Sequence, residues 1–426
     1  MSIFFQGGRV WSGGQWIAGG LRVAHGRIQA IGGVPQPGDE VIDVTGKHVL
    51  PGLVDMHCHL REPGFEYKET IATGTRAAAA GGFTSVACMA NTQPVADNAA
   101  IIAMIRDKAA AEGAVHVYPV GAITKGLKGE EMAEMGDMQE AGAVAVSDDG
   151  KPVTNSQTMR LALEYARDFG LLVIDHCEDP ALVNGGVMNE GYQSTIMGLR
   201  GYPRAGEEVM INRDILLAEM LHAPVHIAHV STQGGVELVR RAKGRGVQVT
   251  AETAPHYFSA TDEMVAGYNT YARVNPPLRT QADVEAVRQG LQDGTLDAIA
   301  TDHAPHHEDE KQLEFDMAAS GLIGFETAFA LGVTHLVNTG VLTLEELVAK
   351  MSENPAAILG IQAGELVADA PADITVVDVA QSWTVDRNAM VSKSHNTPFH
   401  GHTLQGVVVH TLVDGQWVLR EGVIVK

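Results

Sequence analysis

A chain of 426 residues, 45% hydrophobic and 19% charged, with a mean hydropathy of +0.01, has the composition of a folded protein rather than a disordered one. Its 30 basic and 52 acidic residues give a net charge of -22, which opposes binding to nucleic acid and requires any anionic ligand to be drawn by a local positive site. No apolar run reaches the roughly 18 residues of a membrane-spanning helix. The opening Met1-Ser2-Ile3-Phe4-Phe5 has no basic stretch before it, and three cysteines are too few for a disulfide framework, so a soluble, cytoplasmic protein is expected.

Residues 1–48 hold short alternating runs broken by glycine, such as Gly8-Arg9-Val10-Trp11 and Arg27-Ile28-Gln29-Ala30-Ile31. Residues 361–426 hold similar ones, such as Asp373-Ile374-Thr375-Val376-Val377 and Gln416-Trp417-Val418-Leu419. Runs of this kind with Gly and Asp-Gly turns predict small antiparallel strands. Neither end is large enough for its own core, so the two are expected to pair into one small β domain, a sandwich without catalytic residues.

Residues 49–360 alternate two patterns. Apolar, β-branched runs occur at 49–59, 83–91, 115–123, 143–149, 171–178, 224–231, 247–255 and 298–305. Apolar residues at helical spacing lie between them, as in 97–112, 156–169, 207–221, 235–243 and 282–291. Eight such alternations predict an α/β fold with a parallel sheet closed into a (β/α)8 TIM-like barrel. A doubly wound open sheet is the alternative, but no Gly-x-Gly-x-x-Gly follows the first strand.

Active sites of such barrels lie at the C-terminal ends of the strands, so the polar residues ending the runs carry the chemistry. They are Asp55-Met56-His57-Cys58-His59, Ser147-Asp148-Asp149, Asp175-His176-Cys177-Glu178, His226-Ile227-Ala228-His229 and Ala300-Thr301-Asp302-His303. His57 and His59, two residues apart, share a strand face and can serve one ion. Ala145, Ser147 and Asp149 share the face with small residues that suits a barrel interior, which favours Asp149 over Asp148. By the same alternation His176 lies with Ile174 and His229 with Ile227, whereas His226 is expected in the core or toward the helices. Four histidines and two aspartates can thus converge on two divalent cations, with Asp149 the natural bridge. Nitrogen and carboxylate donors without thiolate suit Zn²⁺ or a similar metal. Cys58 and Cys177 are expected to turn away as small buried hydrophobes.

His57-Cys58-His59-Leu60-Arg61-Glu62-Pro63-Gly64 and Ala300-Thr301-Asp302-His303-Ala304-Pro305-His306 resemble signatures of the dihydroorotases of the amidohydrolase superfamily. Asn91-Thr92-Gln93-Pro94 and Arg273-Val274-Asn275-Pro276-Pro277-Leu278-Arg279 follow in the family's order and spacing, and the resemblance covers essentially the whole chain. It implies reversible ring closure of N-carbamoyl-L-aspartate to dihydroorotate in pyrimidine biosynthesis. It also implies two Zn²⁺ per subunit, one on His57, His59 and Asp302 and the other on His176 and His229, with Asp149 between them as in the aspartate-bridged class I type. Relatives of the hydantoinase and allantoinase kind use a carboxylated lysine instead; Lys151 lies beyond the glycine that ends the strand and ranks below Asp149.

For the reaction, a water bound to metal supplies hydroxide at neutral pH, the second ion polarises the carbonyl, and Asp302 acts as general acid and base. By resemblance Arg61, Asn91 and His306 bind the substrate carboxylate and Asn275 meets the ring amide. Two dications, Asp149, Asp302, a hydroxide and Arg61 leave a local formal charge of about +2, enough to attract an anion into an acidic protein. Segment 303–321, with the charged run His307-Glu308-Asp309-Glu310-Lys311, reads either as a solvated loop or as a lid that brings His306 and the Ser320-Gly321 backbone over the substrate. The family implies a homodimer and an assembly with aspartate transcarbamoylase. The rival readings are another cyclic-amide hydrolase, a hydantoinase or allantoinase, and a non-catalytic scaffold for aspartate transcarbamoylase; filled ligand positions oppose the latter.

Overall fold

The computed structural model describes residues 2–426. Eight parallel strands form its central sheet: β1 (Leu53–Cys58), β2 (Phe83–Cys88), β3 (His116–Gly121), β4 (Ala145–Val146), β5 (Leu172–Asp175), β6 (Val225–Ile227), β7 (Val249–Thr253) and β8 (Ala298–Ile299), hydrogen-bonded in that order. A helix follows each strand: α1 (Ile71–Ala80), α2 (Ala99–Glu112), α3 (Met135–Ala141), α4 (Ser156–Asp168), α5 (Ala205–Leu221), α6 (Gln233–Gly244), α7 (Gln281–Gln292) and α8 (Phe325–Gly332). The ring closes just past the ends of β1 and β8, where His59 N–H donates to His303 O at 2.9 Å and Asp302 N–H to His57 O at 3.0 Å. The last pair of the ring is therefore sealed by backbone that also carries three site residues.

Small residues leave room inside. Met56, Ala87, Val120, Ala145, Ile174 and Ala298, from six of the strands, and Ala228 just past β6 pack together as the barrel interior. A separate, larger cluster with Val146, Val173, Ile227, Ile211 and Val239 fills the space between strands and helices. Burying both faces of a parallel sheet accounts for the near-continuous apolar runs in the sequence.

Both chain ends meet in a nine-stranded sheet. Strands Ser2–Ser12, Gln15–Ala24 and Arg27–Ile31 form an antiparallel meander, and strands Ile374–Thr384 and Thr403–Val413 pair antiparallel on the other side of His48–Pro51. Its core joins Phe5, Val10, Leu21 and Ile28 to Ile374, Val376 and Leu412. The apolar run 49–59 is divided between the two sheets at Gly52. A Cβ on Gly52 would come within 2.0 Å of Thr84 Oγ1, so only glycine lets the chain pass from one sheet to the other there. The first barrel strand accordingly begins at Leu53 rather than Val49.

Candidate functional site

Beyond the strand ends the pleat stops dictating direction, and the backbone takes unusual turns. Arg61, His229 and Asp302 have φ of 63°, 34° and 47°, left-handed values that cost energy in residues bearing a Cβ. Three strained residues around one point mark a place where position outweighs local comfort. There Asp149 Oδ1 lies 3.3 Å from His57 Nε2, 3.5 Å from His176 Nδ1 and 3.6 Å from His229 Nε2, while its Oδ2 lies 3.5 Å from His59 Nε2. Asp302 Oδ1 approaches His59 Nε2 at 3.1 Å and His57 Nε2 at 3.7 Å. Two triads, His57-His59-Asp149 and Asp149-His176-His229, each bring their ligand atoms within 4.8 Å of one another and share Asp149. All six side chains are buried.

Hydrogen bonds behind the imidazoles set which nitrogen faces inward. His57 Nδ1 meets Glu252 Oε1 at 2.7 Å, and His59 Nδ1 meets Asn91 Oδ1 at 2.9 Å. His176 instead turns Nε2 to Glu178 Oε2 at 3.3 Å. Each of those oxygens accepts an N–H, so in the neutral ring the opposite nitrogen presents a lone pair toward Asp149. His57 Nε2 and Asp149 Oδ1 are buried without a hydrogen-bond partner. Inward lone pairs, a shared carboxylate and orphaned buried donor atoms fit a pair of divalent cations with mixed nitrogen and oxygen coordination.

The electrostatics agree. Burial opposes charge on His57, but Asp149 and Glu252 outweigh it and raise its pKa well above the ordinary value. His176 is likewise disfavoured by burial yet raised to about 10 by Asp149 and Glu178. Burial pushes the Asp149 and Asp302 carboxyls up, and the surrounding imidazoles overcome it and hold both well below the usual range. Four carboxylates around one space, three of them buried, thus create a field that favours positive charge and suits a metal-binding cluster.

The remaining predicted residues surround the same opening. His59, Arg61, Asn91, Asp149, His176, His229, Asn275, Asp302, His306, Ser320 and Gly321 line a single cavity of about 220 Å³. Arg61 donates through Nε to Pro305 O at 3.0 Å and lies 3.3 Å from His306 Nε2, and among the described residues it forms no ion pair. Its nearby acids are engaged elsewhere: Glu62 with Lys108 and the Ile71 N–H, and Glu69 with Ser392 and Thr73. A half-buried guanidinium lacking a carboxylate is a ready partner for an anionic ligand. Burial drives the His306 pKa down to about 3, so this ring is neutral, and it donates its Nε2–H to Ser320 O at 2.9 Å. Asn275 donates Nδ2 to Glu178 at 2.7 Å, which leaves its oxygen as an acceptor for a ligand N–H. Asn91 reaches Asp149 Oδ2 at 3.4 Å as well as His59, so it holds ligands in place besides lining the cavity. Gly321 N–H is used internally, donated to Arg273 O at 2.9 Å.

One strand-parity expectation is reversed. Ile227 packs in the layer between strands and helices, and His226 faces inward, with Nε2 3.4 Å from Glu252 Oε2. Strict alternation would therefore send His229 outward. The strand ends at Ile227 and the left-handed turn at His229 brings its ring back to the centre. Asp148 does turn away, accepting from Ile123 N–H, Thr124 N–H and the Thr124 hydroxyl. Cys58 and Cys177 belong to the strand–helix core, with burial holding both thiols well above their ordinary pKa. Lys151 is exposed. Glu252 and Glu178 escaped the sequence reading. The signal for Glu252 is an acid inside the apolar seventh run, and Glu178 follows a ligand directly.

Comparisons with known proteins follow the same lines. The family description Dihydro-orotase-like matches residues 46–235. A dihydroorotase of Acetivibrio thermocellus is 60% identical over 385 residues, 90% of each chain, and one of Geotalea daltonii is 56% identical over 422 residues, 98% of this chain and 99% of the other. Among solved structures, the L-hydantoinase of Arthrobacter aurescens superposes with a TM-score of 0.89 at 25% identity, covering 100% of this chain and 97% of that one. The dihydropyrimidinase of Brevibacillus agri, at 22% identity and a TM-score of 0.88 over 100% of this chain and 96% of its own, shares the fold.

Proposed function

The chain belongs to the dihydroorotase family, and on that premise we propose how its residues catalyse the reversible interconversion of (S)-dihydroorotate and N-carbamoyl-L-aspartate in pyrimidine biosynthesis. One observation carries the reading: two buried ligand triads sharing Asp149 open into the same 220 Å³ cavity as an arginine that has no carboxylate partner. That pairing suits a small cyclic amide bearing a carboxylate.

His57, His59 and Asp302 would hold one Zn²⁺, His176 and His229 the other, and Asp149 would bridge them. When bound, the two ions supply a nucleophilic oxygen at neutral pH and withdraw electron density from the amide carbonyl. Arg61 fixes the substrate carboxylate through its planar fork, and neutral His306, its Nε2–H held by Ser320 O, closes the pocket beside it. Asn275 accepts from the ring N–H, since Glu178 occupies its amide nitrogen. These contacts turn the scissile carbonyl toward the ligand cluster and limit its motion. Asp302, kept ionised by its surroundings, accepts the proton of the attacking oxygen and delivers it to the leaving ring nitrogen; in the synthetic direction the transfer runs backward.

The structural kinship with hydantoinases marks a related chemistry, but the aspartate at 149, the exposed Lys151 and the unpaired Arg61 favour dihydroorotate. Six filled ligand positions oppose a scaffold-only role. Dihydroorotate, hydantoin and allantoin assayed side by side test the assignment: turnover confined to dihydroorotate is expected, and preference for either alternative overturns it. No helix among the described residues is long and apolar enough to cross a membrane. We further propose the division 1–48, 49–360 and 361–426, with strand His48–Pro51 at the first boundary belonging to the terminal sheet, a cytoplasmic homodimer, and association with aspartate transcarbamoylase; family kinship supports the last two.

A further inference from the structure

Lys311 ends the short helix Glu308–Lys311 on the loop after β8, yet its side chain turns inward and is 1% exposed. An ammonium has three N–H donors and no acceptor, and a buried one left without partners is strongly destabilising. Here the three donors meet three backbone carbonyls: Ala319 O at 2.6 Å, Gly321 O at 3.0 Å and Arg273 O at 3.3 Å. No carboxylate shares the cation among the described residues. A lysine satisfied entirely by main chain fixes the chain around it.

Those carbonyls belong to two segments that form one wall of the substrate cavity. Ser320 and Gly321 line the cavity, and Arg273 stands two residues before Asn275, which lines it too. The same seam carries the Gly321 N–H bond to Arg273 O at 2.9 Å. Ser320 O accepts from His306 Nε2 at 2.9 Å, and Asn396 joins Ala304 O and Gly321 O through Nδ2 while accepting the His306 N–H. Gly321 has a φ of +138°, and a Cβ there would fall 2.7 Å from Ala304 Cβ and 3.1 Å from His306 Cδ2, so the wall packs tightly at a residue without a side chain of its own. His306 and Asn396 tie this wall to the β8 loop, and Lys311 alone of the three also ties it to Arg273.

We propose that Lys311 is a positioning residue for substrate recognition: its ammonium sets the separation between the Asn275 segment and the Ser320–Gly321 segment, so that ring amide and carboxylate are met together. The inference rests on the cavity being the dihydroorotate site. Lys311 touches neither the ligand histidines nor their aspartates, so its effect falls on substrate binding and not on metal.

The test uses the zinc-loaded holoenzyme with K311M, which keeps length without donors, and K311Q, which keeps an amide donor. Expected are a KM for dihydroorotate raised about tenfold or more in K311M and less in K311Q, with kcat within about threefold of wild type. Zinc content should stay at the wild-type level, and amide hydrogen exchange should quicken only in peptides spanning 270–279 and 303–323. A K311M KM within about twofold of wild type would overturn the proposal. So would faster exchange across the whole molecule with parallel loss of zinc, or failure of both variants to fold, since each makes Lys311 a residue of the fold alone. Wild-type protein that does not turn over dihydroorotate at all refutes the reading of the cavity instead, which separates the two failures.

Discussion

His57 Nε2 and Asp149 Oδ1 lie 3.3 Å apart, both buried and neither hydrogen-bonded. Glu252 accepts a hydrogen bond from the other His57 nitrogen, so in the neutral ring a lone pair faces a carboxylate oxygen. Two buried acceptors at that separation repel unless a cation joins them. The same carboxyl group faces three further imidazoles, and the whole candidate centre therefore depends on Asp149.

Asp149→Asn preserves shape while removing the shared charge. It should purify with less than half the wild-type zinc and lose roughly 100-fold or more in kcat/KM. Elemental analysis and initial rates on one preparation check this; full zinc content in the variant would remove Asp149 as the bridge.

Glu252→Gln leaves every proposed ligand in place but weakens the partner that orients His57. Zinc affinity, read by competition with a chromophoric chelator, should fall about 10- to 100-fold, while KM changes little once zinc is saturating. Unchanged affinity would reduce Glu252 to a packing residue.

Arg61→Lys keeps the charge and loses the fork. It should raise KM for dihydroorotate about tenfold, and Arg61→Met by more, both at wild-type zinc content. His306→Ala is expected to raise KM or lower turnover, again without loss of metal. Kinetics unaltered in both directions would take His306 out of the site.

Glu326 offers a test of the fold's electrostatics away from the centre. Burial raises its carboxyl to about 7, against the pull of backbone N–H groups from Val391 and Ser392 at 2.9 to 3.1 Å. The native state therefore holds a proton that the unfolded chain has released between the ordinary glutamate range and pH 7, and stability falls as pH rises through that window. Glu326→Gln abolishes this dependence. Relative to wild type it should gain on the order of 2–3 kcal/mol between pH 5 and pH 8, seen as a rising difference in thermal midpoint. A difference constant with pH would show that Glu326 ionises normally.

Much of this was legible in the residues. Ligand types at five strand ends located the centre, and small residues on one face of the fourth run separated Asp149 from Asp148. Two matters were not. The run 49–59 gave no sign that Gly52 divides it between two sheets, because the reason lies in the close approach of Thr84, 32 residues away along the chain. His229 obeyed no strand parity, because the left-handed turn that aims it follows the last paired residue. The partners behind the ligands, Glu252 and Glu178, depend on which rings they reach, and Lys311 sat in a stretch whose charge pattern resembled an exposed loop.

The most direct test of the central claim is dihydroorotate turnover before and after chelation, with zinc counted on the same sample. Two zinc ions per chain, activity lost in proportion to their removal and restored on adding zinc back are the predicted result. Undiminished turnover by protein stripped of metal would contradict it.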